Sequence, residues 1–298
     1  MHKKQVSSGT LTGAMIISMF LWGLSWPSGK VLTRYCSAVN FAVYRYVIVV
    51  AVMLLLLKVL KAGLWIRKEG IPFVIASGLL LALYSYLFFI GLQKGSPGAG
   101  GVLVTTLNPI MAYAIGIFLS RKLPARNEAI GLVLGIIAGC ALLKVWDSSS
   151  KIIDSGNLYF LLAALLWASM SKFTSKGAKY GSPLTFSFWQ YMVTLLCLLP
   201  LTNFKEAMVS THLKDALFWG NLFFSSAIVT ALATTVFFYS TTRLGAEKAS
   251  SFLFMVPLAA SVSSWLFLGE VIHIHTAIGG VLGIMAVYMI NKKRMVEG

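Results

Sequence analysis

Two proline-centred stretches combine polar side chains with an interruption of an apolar run. The first, VLVTTLNPIMA, spans residues 102–112 and carries Thr105, Asn108 and Pro109. Spacings of three and four residues can place these three on one face of a helix. Because Pro109 has no backbone N–H, we expect the helix to loosen there. Freed backbone groups and polar side chains could then line a ligand cavity, where such groups are tolerated at membrane depth.

The second stretch, SSFLFMVPLAA, spans residues 250–260 and carries Ser251, Met255 and Pro257. Proline-interrupted helices at corresponding places in two halves of a chain point to the binding site of a transporter. The sequence therefore predicts two unwound helices, hinged near Pro109 and Pro257, that face each other across a cavity. The alternative is that both are kinked helices that only pack.

Arg45 is the charged side chain that lies well inside an apolar run. An intramembrane charge is a functional hypothesis by default, and a guanidinium can bind a carboxylate or phosphate through two hydrogen bonds. The alternative is that Arg45 extends to the membrane edge or pairs with the end of a helix. Gln190 lies at the corresponding position of the second half.

Aromatic and small polar residues could complete the pocket. Apolar walls with a few placed polar groups suit a small amphipathic ligand. Trp22 lies one turn from Trp26, as Tyr84 does from Phe88, and Trp189, Thr230 and Tyr239 are further candidates. The predicted substrate-binding set is Trp22, Arg45, Tyr84, Thr105, Asn108, Pro109, Trp167, Gln190, Thr234, Ser251, Met255 and Pro257.

The composition is that of a membrane protein. Of the 298 residues, 58% are hydrophobic and 11% charged, and the mean hydropathy is +0.81. Soluble domains are about a quarter charged, so this chain belongs in lipid. The net charge of +16 resides between apolar runs, so nucleic acid is not an expected partner. Three cysteines without metal or redox spacing predict no disulfide framework, no metal and no cofactor.

Acidic residues are confined to the ends of the apolar runs, as Glu128, Asp147, Glu247 and Glu270 show. The spans thus hold no catalytic constellation, and the sequence predicts no enzyme. Proton-coupled carriers usually expose a titratable group to the cavity. We therefore favour a carrier driven by a substrate gradient or by exchange.

Ten runs are long enough to cross a hydrocarbon core of about 30 Å. The sequence predicts an all-α integral membrane protein with spans at residues 10–30, 38–58, 71–93, 98–120, 127–146, 156–176, 183–201, 217–241, 247–269 and 273–291. On this topology 17 lysines and arginines lie on the side of the N-terminus and 7 on the other. The bias places both termini in the cytoplasm, most simply at a bacterial inner membrane.

The chain contains an internal duplication. A shift of 145 residues overlays Leu21-Trp22-Gly23 on Leu166-Trp167-Ala168 and Tyr44-Arg45-Tyr46 on Trp189-Gln190-Tyr191. A shift of 148 overlays Pro109 on Pro257. Residues 1–150 and 151–298 are thus predicted to be two five-helix repeats. Because five is odd, the two copies must insert in opposite orientations, as in alternating-access carriers.

These motifs resemble the EamA-type transporters of the drug/metabolite transporter superfamily. The resemblance rests on Leu-Trp-Gly in the first span, Arg45, Pro109, Pro257 and Leu268-Gly269-Glu270, and it covers nearly the whole chain. The chain departs from the pattern at Ser120-Arg121-Lys122, Ala168 and Gln190. The resemblance implies a secondary carrier for a small organic molecule, in a family whose substrates range from amino acids to nucleotide sugars.

We expect export of an amino acid or related compound by alternating access. Uptake or exchange of a nucleotide-like or S-adenosyl metabolite is the rival within transport, and a non-transporting membrane subunit or assembly factor is the rival outside it. Besides the substrate and the lipid bilayer, a second copy of the chain is a candidate partner. The glycine series Gly131, Gly135 and Gly139, echoed by Gly279 and Gly283, marks either a homodimer seam or tight packing within each repeat.

Overall fold

A computed structural model describes residues 8–94, 97–143, 145–146, 155–203, 215–268 and 274–292. Throughout these residues the regular structure is helical, without a strand. The predicted boundary between the repeats at residue 150, and Gly269 and Glu270 of the Leu-Gly-Glu motif, lie outside the described residues.

A helix lies at each of the predicted positions. The first seven are α1 (Ser8–Leu32), α2 (Ala38–Val59), α3 (Ile71–Lys94), α4 (Pro97–Ser120), α5 (Arg126–Leu143), α6 (Ser155–Gly177) and α7 (Pro183–Leu198). Helix α8 joins Ala216–Phe223, a π-helical part Phe224–Thr234 and Thr235–Leu244. Helix α9 joins Ala246–Ser251, a 3₁₀ turn Phe252–Met255 and Val256–Leu268, and α10 is Ile274–Asn291.

Seven helices in the described part of the chain are long and apolar enough to cross a membrane: α1, α2, α3, α4, α6, α7 and α8. Large apolar side chains point outward from them, for example Ile17, Leu55 and Phe118. In water such a surface would be costly, whereas lipid accepts it. The chain is an integral membrane protein. That α5, α9 and α10 also cross stays a prediction.

Serine caps begin corresponding helices of the two halves. Ser37 accepts a hydrogen bond from the backbone of Asn40 at the start of α2, and Ser182 accepts one from Thr185 at the start of α7. A serine side chain satisfies one of the orphan N–H groups of the first helical turn. The residues that cap α2 and α7 are 145 apart, which is the shift of the duplication.

The ends of the helices meet at two faces of the bundle. On the face that holds the start of α1, the Arg67 backbone donates to the Tyr180 carbonyl. On the opposite face, the side chain of Asn40 exchanges two hydrogen bonds with the backbone of Asn203. These contacts tie the loops of the two halves together at each end. We call the two ends the N-terminal face and the opposite face.

Helix packing follows the duplication. Helix α3 packs on α6 as α8 packs on α1, and α4 packs on α6 as α9 packs on α1. Helices α2 and α5 pack against their own counterparts, α7 and α10. If each helix is replaced by its counterpart in the other half, the pairs of helices that pack together therefore stay largely the same.

The glycine series lies at close contacts within the chain. A side-chain carbon at Gly131 would come within 2.5 Å of Ile290 on α10, and one at Gly283 within 2.5 Å of the Phe254 carbonyl on α9. Gly135 faces the Phe254 ring and Gly139 faces Thr106. These glycines let α5 and α10 approach their neighbours closely. A homodimer through this series and Gly279 stays a prediction.

The two prolines act differently from one another. Helix α4 runs as α-helix through Pro109, so the expected unwinding there is wrong. Losing one backbone hydrogen bond does not break a helix that its neighbours hold on several sides. In α9, by contrast, the 3₁₀ turn Phe252–Met255 ends two residues before Pro257, and the helical geometry does change.

Candidate substrate cavity

A cavity of about 70 Å³, enough for several water molecules, lies among α1, α2, α3, α4, α6, α7, α8 and α9. Its wall extends from the middle of the bundle, at Trp22 and Asn108, toward the opposite face, at Gly29 and Phe89. Seven of the twelve predicted binding residues line it: Trp22, Arg45, Tyr84, Thr105, Asn108, Trp167 and Thr234.

Corresponding tryptophans of the two halves meet at the cavity. The rings of Trp22 and Trp167 lie edge to face, with centroids 5.1 Å apart and an interplanar angle of 89°. Tyr84 packs against Trp167 at 4.8 Å, and Phe237 packs against Trp22 at 5.2 Å. The indole Nε1–H groups of both tryptophans are buried and have no hydrogen-bond partner within the described chain. Two donors therefore remain for a ligand, since buried indole N–H groups usually have a partner.

Corresponding tyrosines also meet there. Tyr46 and Tyr191 lie 6.2 Å apart between ring centroids. The Tyr46 hydroxyl is 2.8 Å from Ser85 Oγ, which donates to the Leu81 carbonyl, so the tyrosine must supply the proton of the first bond. The Tyr191 hydroxyl donates to the Thr230 carbonyl. Sequence reasoning missed Tyr46, Tyr191 and Ser85, although Tyr46 and Tyr191 are identical in the overlaid repeats.

Arg45 points into the bundle. Its Nε donates to Thr230 Oγ1 at 2.7 Å, and its guanidinium carbon lies 5.5 Å from the centre of the Phe89 ring. Thr230 can accept this bond because its own proton goes to the Ser225 carbonyl, at 2.8 Å. The guanidinium thus lies between α3 and α8 rather than at the membrane edge.

The π-helical part of α8 supplies several of the cavity's polar groups. Thr230 and Thr234 each donate to the carbonyl five residues earlier, at 2.8 and 3.1 Å. This i to i−5 pattern follows the wider π-helical turn, a feature often found at functional sites. It brings Ser225, Val229, Thr230 and Thr234 onto the wall together. We found no sequence signal for this geometry.

Asn108 is fully buried at the wall. Its Nδ2 donates to the Ala164 carbonyl on α6 at 3.2 Å, while its Oδ1 has no hydrogen-bond partner in the part of the chain described. Thr105, one turn earlier, donates to the Gly101 carbonyl. Because an unsatisfied buried acceptor is costly, Asn108 Oδ1 is a candidate contact for a ligand donor.

Five predicted residues do not line the cavity: Pro109, Gln190, Ser251, Met255 and Pro257. Gln190 is fully buried and accepts from Thr174 on α6. Ser251 accepts from Asn291, which joins α9 to α10. The residues of α9 that do line the cavity are Leu253 and Val256. A substrate contact by any of the twelve stays a prediction.

Polar contacts join the helices in the half of the bundle nearer the N-terminal face. Lys172 on α6 pairs with Glu247 on α9, and Gly116 of α4 lies directly against this pair. Lys248 lies 3.8 Å from Glu128 of α5, which joins the two halves of the chain. A separate polar recess of about 220 Å³ lies beside these pairs and contains Tyr113. The ion pairs and the cavity thus occupy different halves of the bundle.

In the described residues, no group of three or more histidine, cysteine, aspartate or glutamate side chains comes together. An apolar cavity with unused donors and acceptors and one cation is suited to binding.

The EamA-like transporter family matches residues 11–144 and 154–292, one match in each half. The chain belongs to the EamA-like transporter family. It is a membrane transporter rather than an enzyme. The two matches also confirm the duplication as two EamA repeats.

Two relatives match almost the whole chain, and one of them is named as a transporter. Uncharacterized transporter YoaV of Bacillus subtilis (strain 168) is 29% identical over 92% of this chain and 94% of its own length. WAT1-related protein At3g02690, chloroplastic, of Arabidopsis thaliana is 28% identical over 96% of this chain and 72% of its own. A solved crystal structure matches with a TM-score of 0.72 at 14% identity, over 96% of this chain and 97% of that one, which shows a shared fold.

Proposed function

We propose that the protein is a ten-span secondary carrier that exports a small organic metabolite, an amino acid or related compound, by alternating access. In this proposal the two repeats are inverted, the protein lies in a bacterial inner membrane, and both termini face the cytoplasm. The observation that carries the proposal is the meeting of Trp22 with Trp167 at the cavity, where corresponding residues of the two repeats touch. A site on the axis that relates two repeats is the arrangement that alternating access requires.

The helix contacts support a pseudo-twofold arrangement. Helices α2 and α7 pack against each other, as do α5 and α10, so each helix of these pairs meets its own counterpart. A twofold axis places equivalent elements together in this way, and an odd number of spans per repeat makes the axis lie in the membrane plane. Tyr46 of α2 and Tyr191 of α7 form a second pair of equivalent residues that meet at the cavity.

The division between cavity and closed half supports alternating access. The cavity lies toward the opposite face, while Lys172, Glu247 and the Ser175 bond to the Thr241 carbonyl close the N-terminal face. In the exchanged conformation these contacts would separate, and further contacts near the opposite face, beyond the existing Asn40–Asn203 hydrogen bonds, would close the cavity there. With the N-terminal face cytoplasmic, the present conformation is the one that faces outward.

Counterflow in proteoliposomes tests the carrier function. Vesicles with purified protein and an internal excess of unlabelled L-amino acid should accumulate the labelled form transiently, because exchange through one site needs no other energy source. S-adenosylmethionine and nucleotides form separate arms, and counterflow with these alone would support the rival substrate class. If the purified protein is folded, as judged by cooperative thermal unfolding, and shows no counterflow with any of these substrate classes, the carrier function is contradicted.

Asn108→Ala gives the residue-level test. It should reduce counterflow at least about tenfold, since it removes a buried polar group from the cavity wall. Asn221→Ala is the matched control, because Asn221 lies on α8 away from the cavity and bonds to its own helix. Equal membrane content of the two variants separates transport from insertion.

A further inference from the structure

Arg45 has unused hydrogen-bonding capacity at the cavity wall. Its Nε is held by Thr230 and its planar face lies near Phe89, and the described chain supplies no partner for the two terminal nitrogens. An Arg fork with Nε fixed presents those two nitrogens as a pair, and their spacing matches the two oxygens of a carboxylate. The orientation of the fork is therefore preset.

The cavity also lacks a counter-charge for Arg45. Among the described residues that line it, Arg45 is the charged one, and no aspartate or glutamate is present. A charge within a membrane protein is costly unless it is paired. A negatively charged group of the carried molecule would supply that pairing at the moment of binding.

We propose that Arg45 binds the carboxylate of the carried molecule, and that the site takes small monocarboxylates with an aromatic or other flat apolar body. This inference rests on the carrier function proposed above and names the chemistry of its cargo. One guanidinium neutralises one negative charge, so a phosphate dianion would leave a charge uncompensated. A cationic molecule would meet the uncompensated positive charge of Arg45 and be repelled.

The aromatic walls define the body of the cargo. Trp22, Trp167 and Tyr84 line the end of the cavity that lies in the middle of the bundle, and ring faces and edges favour a flat partner. The two free indole N–H groups add donors that suit an acceptor-rich group. Asn108 Oδ1 adds one unused acceptor, which can meet a hydroxyl or an amine of the cargo.

An ammonium group has no acidic partner on this wall. An amino acid can bind through its carboxylate, with its ammonium at Asn108 Oδ1 or over an aromatic face. The carboxylate is thus the required end and the amine an optional one. Amino acids belong to the cargo class as carboxylates, and the corresponding acids without an amine belong to it equally.

Three matched compounds test this assignment. L-Phenylalanine carries both groups, 3-phenylpropionate lacks the amine and 2-phenylethylamine lacks the carboxylate. Each is added at pH 8 to the purified full-length protein in detergent, and the melting temperature is recorded as a function of concentration. The two carboxylates should raise the melting temperature and 2-phenylethylamine should not. Phenyl phosphate, a dianion at this pH, should bind at least about tenfold more weakly than 3-phenylpropionate.

Arginine variants tie the result to the residue. Arg45→Gln should abolish the shift, and Arg45→Lys should weaken binding about tenfold or more, because the charge stays but the fork is lost. If either arginine variant fails to fold, Thr230→Val replaces it in the test. This substitution removes the hydroxyl that accepts from Arg45 Nε, and it should weaken carboxylate binding. Arg67→Gln is the control, since Arg67 is an exposed arginine far from the cavity.

The outcomes separate the inference from the carrier function. Carboxylate shifts that survive in Arg45→Gln, equal binding of 2-phenylethylamine, or no shift with either carboxylate would each overturn the inference. Counterflow of a cargo without a carboxylate, unaffected by Arg45→Gln, would do the same while upholding the carrier. Arg45-dependent carboxylate binding without any counterflow would uphold the site chemistry and contradict the carrier.

Discussion

Trp22 and Trp167 are equivalent residues of two repeats, 145 positions apart, and their rings meet edge to face 5.1 Å apart in the middle of the bundle. Neither indole N–H has a partner in the described residues. Equivalent residues of two repeats that meet at the cavity and keep unused donors are candidates for both a packing role and a binding role. Substitutions can separate the two.

Trp167→Phe should preserve the fold and impair binding. Phenylalanine keeps most of the ring contacts with Tyr84 and Phe238 but removes the free N–H. Trp167→Ala should instead cost about 3–5 kcal/mol of stability, because it empties a buried aromatic site. The melting temperature and the apparent substrate affinity are measured on both variants. Trp167→Phe should mainly lower the affinity, whereas Trp167→Ala should mainly lower the melting temperature. An unchanged affinity in Trp167→Phe would show that the N–H is not used.

Most helix positions and part of the cavity follow from the sequence. Hydropathy predicts each helix to within about three residues, because lipid requires long apolar runs. The duplication leads to Trp22 and Trp167, and the isolated charge leads to Arg45. These signals are local, or need only a comparison of the chain with itself.

Helix phase explains the binding residues that fall elsewhere. Asn108 and Pro109 are adjacent and therefore point about 100° apart on a helix. Once Thr105 and Asn108 face the cavity, Pro109 cannot. Proline placement predicts where a helix is perturbed but not which side faces the site. Gln190 is absent from the wall because Thr174 engages it in the α6–α7 contact, which depends on tertiary packing.

The π-helical part of α8 had no sequence signal. Thr230 and Thr234 reach the cavity because the turn there is wider than in an α-helix. Hydrophobic periodicity in a membrane helix is weak, since both lipid and protein neighbours are apolar. The π-helical part packs against α1 and α2, which lie far from it in the sequence.

Gly131→Leu should lower the melting temperature by roughly 5 °C or more, since the new side chain would overlap Ile290 and the Ala286 carbonyl. If the glycine series instead forms a dimer seam, the main effect would be a halved particle mass. Size-exclusion chromatography with light scattering, beside thermal unfolding, distinguishes the two. Gly13→Leu is the control, because a side chain there meets nothing within 4 Å.

Pro109→Ala should leave substrate affinity within about twofold of the parent, since Pro109 does not line the cavity and α4 is already helical through it. Pro257→Ala restores a backbone donor just after the 3₁₀ turn Phe252–Met255 and should slow the transport cycle. Initial rates of counterflow at several substrate concentrations separate affinity from turnover. A loss of affinity in Pro109→Ala alone would return the proline to the binding site.

The Lys172–Glu247 pair should control opening at the N-terminal face. Both side chains are largely buried, with 16% and 26% of their surfaces exposed, and they lie beside Gly116 of the other repeat. In the proposed transport cycle the pair forms only in the arrangement closed at this face, so Glu247→Gln should shift the population toward the open arrangement. Gly116→Ala should act in the same direction, because the added methyl displaces the pair.

Thiol labelling measures this shift. A cysteine in place of Ser175, in a protein freed of its native cysteines, should react with a membrane-impermeant maleimide several-fold faster when Glu247→Gln is added. The exchanged pair Lys172→Glu with Glu247→Lys should restore slow labelling, since it restores the attraction. Arg67→Gln breaks an exposed pair, with 56% and 60% of its side chains accessible, and should leave labelling unchanged. Equal labelling in all four proteins would mean that the ion pair does not hold the N-terminal face closed.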